Sequence, residues 1–179
     1  YAKMDDARVD PKILDVVRRA VEAREYPIYL YGPVGRGKSF TAAYVYTHWQ
    51  SEAMMHRYTD LISDSCRIEK EGTSSRVNSF GDVVEYTAAG WWKGLRDVSL
   101  LVVDEIGIGM SHEWRIEMLW KVLELRKDRP LIFTGNLSPN GIGEQFDSRI
   151  KSRVAGGTPT EFTGPDLRLE GFQHRVHKV

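Results

Sequence analysis

The strongest chemical signal is the ten-residue stretch "YGPVGRGKSF", residues 31–40. Gly32, Gly37, Lys38 and Ser39 satisfy the pattern G-x-x-x-x-G-K-[ST]. Glycines let a backbone curl so that its N–H groups point inward at phosphate oxygens. Lys38 brings a cation to the β- and γ-phosphates, and the Ser39 hydroxyl suits a Mg²⁺ ligand. A helix opening at Lys38 would aim its positive end at the same anion. Gly32, Pro33, Val34, Gly35, Arg36, Gly37, Lys38, Ser39 and Phe40 are therefore the candidate nucleotide-binding residues.

A second signal is "LLVVDEIG", which places Asp104 and Glu105 at the end of an apolar run. At the C-terminal edge of a parallel sheet, Asp104 would face the Mg²⁺ and Glu105 could polarise a water for attack on the γ-phosphate. "DEIG" also fits the D-x-x-G element of GTPases, but no N-K-x-D guanine-reading motif follows. A small-molecule kinase is a further alternative, though its attacking group is the substrate's own hydroxyl. Adjacent Asp and Glu favour water, hence ATP hydrolysis. "PLIFTGN" delivers Asn136 to the end of another apolar run, where its amide could hold that water or sense the γ-phosphate. "DSRIKSR" sets Arg149 and Arg153 four residues apart, on one helical face. They read as a solvated face or as an arginine finger reaching a neighbouring subunit's γ-phosphate, with Arg153 the finger and Arg149 its companion.

The elements that must position these residues are legible as alternating strands and helices. Residues 10–25 predict a helix capped by Asp10 with Pro11 at its first position. Residues 26–32 predict a strand and residues 38–54 a helix. A second strand is expected at 56–62, continuing into a helix or loop, and a polar surface loop at 72–82. Residues 83–95 read as helical. A strand follows at 98–107, then a helix at 111–128 capped by Ser111, with Trp114, Ile116, Leu119, Trp120 and Leu123 on its buried side. Residues 129–136 read as a strand, 143–153 as one short helix and 158–164 as a last strand. This alternation argues a three-layer α/β domain around a parallel sheet.

These motifs, in this order, resemble the AAA+ ATPases of the DnaC and IstB-like branch: helicase loaders and ATP-dependent partners of transposases. "YGPVGRGKSF" corresponds to Walker A, "LLVVDEIG" to Walker B, "LRKDRPLIFTGNLS" to the approach to sensor 1 at Asn136, and "FDSRIKSRV" to the finger-bearing box. "R-x-K-S-R" is also similar to a segment of the DnaA initiator. The resemblance runs from about Ile28 to Val154. It implies a P-loop NTPase with five parallel strands in the order 5-1-4-3-2, using ATP and Mg²⁺, with ADP as product. It implies a homo-oligomeric ring or spiral with sites between subunits, acting on a replicative helicase or a transposase and on single-stranded DNA. "EFTGPDLR" makes Arg168 a sensor-2 candidate, and Arg126 either an interface residue or a solvated helix end. The chain leaves no room for the usual helical lid, and its start at Tyr1 points to an absent N-terminal partner-binding module.

The 179 residues suit a single ATPase domain, with residues 1–26 as a helical lead-in and 165–179 as a short tail. "HRVHK" within that tail reads as disordered. Net charge is zero, so the chain does not coat DNA by bulk charge. Arg57, Arg67, Lys70, Arg76 and Lys93 are interleaved with Tyr58, Phe80, Tyr86, Trp91 and Trp92. Such mixing suits single strands, but Trp91 and Trp92 read as core. The only cysteine, Cys66, forms no internal disulfide and favours a reducing bacterial or phage-infected cytoplasm. His48 and His56 lack metal-ligand spacing, and no apolar run is long enough for a membrane span.

Overall fold

A computed structural model describes residues 9–77, 81–107 and 113–167. Ser111, Arg168 and the "HRVHK" tail lie outside the described residues. Helix α1 (Pro11–Ala23) begins as expected, with Asp10 accepting a 2.8 Å bond from the Lys12 amide. Strand β1 (Ile28–Tyr31) feeds the glycine loop, and helix α2 (Lys38–Thr47) leaves it. That helix stops seven residues short of expectation, because Trp49 turns away to donate its indole N–H to Ser99 at 2.7 Å.

The second strand lies earlier than the sequence suggests. Strand β2 spans Ala53–Arg57, and helix α3 (Tyr58–Glu71) takes the residues expected to be extended. Leu61, Ile62, Ser65 and Ile68 are buried at helical spacing, and Gly72 closes the helix in the left-handed region. The expected polar loop is also wrong in part, and the first five residues of the helix expected at 83–95 are extended instead. Strands β3 (Thr73–Val77) and β4 (Val83–Thr87) form an antiparallel hairpin separate from the main sheet. Valine and threonine favour extended backbone. Val83 is two-thirds exposed and Val84 only half-buried, a weak burial contrast by which to recognise a strand. Helix α4 (Ala88–Asp97) follows, capped by the Thr87 hydroxyl.

Strand β5 (Leu100–Ile106), helix α5 (Glu113–Leu125) and strand β6 (Leu131–Gly135) are where the sequence puts them. The expected single helix at 143–153 is two: α6 (Pro139–Gln145) and α7 (Ser148–Ala155). Asp147 breaks them by capping α7, accepting 2.6 Å from the Arg149 amide. Strand β7 (Thr158–Glu161) completes a parallel sheet of order β2-β5-β6-β1-β7. Counted without the hairpin, that order is 5-1-4-3-2 from the other edge, as the resemblance implies.

The strands alternate between two cores. Ile28, Leu30, Leu100, Val102 and Ile132 pack with Val17 and Ala20 of α1 and Ala42 of α2. Tyr29, Leu101, Val103, Leu131 and Phe133 pack with residues of α3 to α7. Covering both faces leaves only the strand ends free for chemistry. Among the described residues no helix is long and apolar enough to cross a membrane. On α5, Leu119, Val122 and Leu123 face the core, whereas Trp114 is 43% exposed, against expectation. Five residues before Leu119, it sits about 140° round the helix.

Arg126 corrects the sequence reading most sharply. Neither a solvated helix end nor a surface residue, it is fully buried. Its Nη1 donates to the carbonyls of Leu95 (3.3 Å), Arg96 (2.8 Å) and Val98, and its Nη2 to that of Pro130. One guanidinium thus closes the C-terminal end of α4 and ties it to the entrance of β6. Burial pulls its pKa down to about 10, still well above neutrality, so it stays cationic. Arg126→Ala should lower unfolding stability by at least about 3 kcal/mol in equilibrium urea denaturation, because buried carbonyls lose a charged donor. Arg126→Lys should recover only part, since an ammonium lacks the planar fork.

Candidate nucleotide-binding site

Between β1 and α2, the loop closes on its own lysine. Lys38 is 7% exposed, and its Nζ donates to the carbonyls of Gly32 and Pro33, both at 2.7 Å. Gly37, with φ of 89°, turns the chain into α2. Ser39 and Phe40 are half-buried in the first turn, Arg36 is half-buried, and Val34 projects outward. Pro33 is also exposed.

A strap sequence reasoning missed crosses this loop. After β7, Phe162 N–H donates to Tyr31 O at 2.7 Å and Leu167 N–H to Gly35 O at 3.0 Å. A Cβ on Gly32 would sit 2.5 Å from the Phe162 carbonyl oxygen, and one on Gly35 only 2.0 Å from an Asp166 carboxylate oxygen. Both glycines also have positive φ; at Gly32 the neighbour is backbone, so position and conformation alike exclude a side chain, whereas at Gly35 the Asp166 carboxylate would have to turn aside. The segment's signal in the sequence was "EFTGPDLR", but the residues touching the loop precede Arg168.

Strand β6 runs between β1 and β5 and pairs in parallel with both. Tyr31 lies opposite Gly135, which lies opposite Ile106, so loop, Asn136 and Asp104-Glu105 share one edge. Asp104 is 5% exposed and accepts a 2.5 Å bond from the Thr134 hydroxyl. The same hydroxyl oxygen accepts from the Glu105 amide at 2.9 Å. Thr134 therefore fixes both acidic residues, a role the sequence alone did not single out. Its position two residues before Asn136 was the available clue. Glu105 is exposed and has φ of 64°, a conformation that costs most residues about 1 kcal/mol or more. Asn136 is exposed just beyond β6. Its loop is anchored by Tyr29, whose hydroxyl donates to Leu137 O at 2.7 Å. Gly135 makes room, since a Cβ there would meet the Tyr29 hydroxyl at 2.5 Å. Gln145 of α6 donates to Gly107 O at 3.1 Å, bracing the turn after Glu105. Ser39 and Asp104 offer hard oxygen donors, the type that suits Mg²⁺.

Arg149 and Arg153 stand elsewhere. Gly157, just past α7, packs on the backbone of Tyr26 and Pro27, before β1 begins. The loop starts after β1 ends, so the two features sit at opposite ends of a four-residue strand, about 13 Å long. Arg153 pairs with Glu124, and Arg149 with Glu117 at 2.9 Å and Asp147 at 3.1 Å. These carboxylates raise the pKa of Arg149, Asp147 foremost. Both arginines line a groove of about 560 Å³ with Tyr26, Trp120, Ser148 and Ser152.

The mixed basic and aromatic segment is resolved in part. Tyr58 and Trp91 are core residues, Trp91 donating to Ser65 at 3.1 Å. Trp92 is half-buried, donates to Glu69 at 2.6 Å and lies under Lys121. Arg67 pairs with Asp64, and Lys93 with Asp97. Phe80, and the side chains of Arg76 and Tyr86, lie outside the described residues.

No protein-family model matches the chain. The chromosomal replication initiator DnaA of Rhizobium meliloti (strain 1021) is 26% identical over 156 residues, 84% of this chain and 30% of that protein. The chain thus spans under a third of the length of the curated relatives it matches. AMPPCP-bound DnaA from Aquifex aeolicus superposes with a TM-score of 0.71 and 17% identity, covering 95% of this chain and 53% of that one. DnaA bound to AMPPCP and single-stranded DNA gives 0.70 at 17% identity, over 94% and 51%. The DnaC helicase loader gives 0.68 at 16% identity, over 91% of this chain and 94% of its own. The chain has the α/β fold of the AAA+ domains found in DnaA initiators and DnaC-type helicase loaders, as its motifs imply.

Proposed function

We propose that this chain binds and hydrolyses ATP with Mg²⁺, as one subunit of an ATP-dependent ring or spiral that loads a replicative helicase onto single-stranded DNA. One observation carries the enzymatic part. The loop, Asp104, Glu105 and Asn136 share a sheet edge, while Arg153 sits at the far end of β1. A finger so placed serves another chain's nucleotide. The loading role is supported by the DnaC helicase loader, which the chain matches along 94% of its length. The DnaA complex with single-stranded DNA supports the DNA partner.

Each residue then has a defined task. Lys38 exchanges its two carbonyl partners for β- and γ-phosphate oxygens, and the loop amides and the N-terminal end of α2 hold the rest of the polyphosphate. Ser39 and Asp104 would hold Mg²⁺, which neutralises charge on the phosphates. Thr134 keeps the Asp104 carboxylate aimed, and its bond to the Glu105 amide helps hold that residue's left-handed turn. Glu105 draws a proton from water, Asn136 orients that water, and a neighbour's Arg153 stabilises charge in the transition state.

Lys38→Ala should abolish nucleotide binding, whereas Glu105→Gln should bind ATP yet release phosphate at least about a hundredfold more slowly. Neither Arg153→Ala nor Glu105→Gln alone should turn over well, but mixing them should restore phosphate release at the shared interfaces. Absence of rescue at every ratio would sink the shared site. The strained backbone offers an independent check. Glu105→Asn, better suited to positive φ, should raise urea stability by about 0.5–1 kcal/mol while losing hydrolysis. A stability loss would show that the Glu105 side chain stabilises its turn.

A further inference from the structure

Helix α5 carries a short stripe facing the arginines. Glu117, Trp120 and Glu124 are spaced three and four residues apart, on one face. Arg149 pairs with Glu117 and Arg153 with Glu124. Both guanidinium groups also lie over the Trp120 ring, at 5.3 and 5.8 Å from its centre. Arg153 and Glu124 keep 32% and 39% of their side-chain surface exposed, so water and other anions reach the pair.

We propose that Glu124 holds Arg153 in reserve, and that the γ-phosphate of an adjoining subunit's ATP displaces this carboxylate when two chains meet. The inference rests on Arg153 acting in trans. Three features make the exchange favourable. A γ-phosphate carries more charge than a carboxylate and offers more acceptor oxygens to a guanidinium fork. The resting pair is solvent-accessible and weak, so it breaks at little cost. The Trp120 face attracts the cation whichever anion it meets, giving Arg153 a surface along which to turn. A neighbour holding ADP lacks the displacing group, so Glu124 keeps the finger docked. The groove thereby distinguishes ATP-filled from ADP-filled neighbours.

The test is subunit mixing with phosphate release as readout. Glu105→Gln chains donate fingers, and Arg153→Ala chains supply intact active sites. Adding Glu124→Gln to the donors alone should lower the donor concentration for half-maximal rescue about two- to fivefold, the range a half-exposed ion pair supports. Glu113→Gln donors, with the same charge change on the same helix, should match the parent donors. Thermal unfolding of each donor confirms that it is folded. An unchanged or higher half-maximal concentration with Glu124→Gln overturns the exchange. So does an equal gain with Glu113→Gln, which would reflect bulk charge. If parent donors give no rescue, the trans site itself fails and the inference falls with it.

Discussion

Strand β6 carries the constraint on which the site depends: it pairs in parallel with β1 on one side and β5 on the other. Parallel pairing brings the C-terminal ends of all three strands to one edge. Helices on both faces bury everything between, so that edge is where polar groups can gather. Thr134 reaches Asp104 and the Glu105 amide because it stands one strand away at matching height. Gly135 must be small because Tyr29, from the other neighbour, passes over it to hold Leu137 O. Arg126 acts at the opposite end, fastening the entrance of β6 to the end of α4. A shift of β6 by one residue would therefore turn Thr134 away, uncouple the acidic pair and block the Tyr29 anchor together.

The chain has no net charge, and three of its cations are held by its own atoms in different ways. Arg126 is bound by carbonyls that no ligand can reach, so it is a permanent fastening. Lys38 is also bound by carbonyls, but these belong to the loop proposed to accept phosphate. Arg153 is bound by a half-exposed carboxylate. Access thus separates the structural cation from the two with proposed roles, more than charge or hydrogen-bond number does. An internal partner keeps a cation from paying full desolvation cost before its ligand arrives.

Much of this was legible in the sequence because its signals are local. Loop glycines, strand ends and the Asp10 cap follow from spacing over a few residues. The resemblance supplied the strand order, which periodicity could not. What escaped was set by distant partners. Arg126 looks like any helix-terminal arginine until Leu95, Val98 and Pro130 are brought around it. Thr134 is an ordinary strand threonine unless β5 lies beside it. The β3–β4 hairpin stands apart from the main sheet, and its described valines, Val83 exposed and Val84 half-buried, give only a weak strand signal.

Asp147 shows how a local signal can still be misplaced. An Asp within a helical pattern lowers propensity only slightly, so residues 143–153 read as one helix. Its side chain instead accepts from the Arg149 amide, ending one helix and starting another. The break changes what Arg149 and Arg153 can do. On a continuous helix their direction would follow α6, which is tied to the turn after Glu105 through Gln145. On a separate α7 they face α5, whose Glu117, Trp120 and Glu124 receive them. The cap, rather than the arginine spacing alone, therefore decides that this pair addresses a groove away from its own glycine loop.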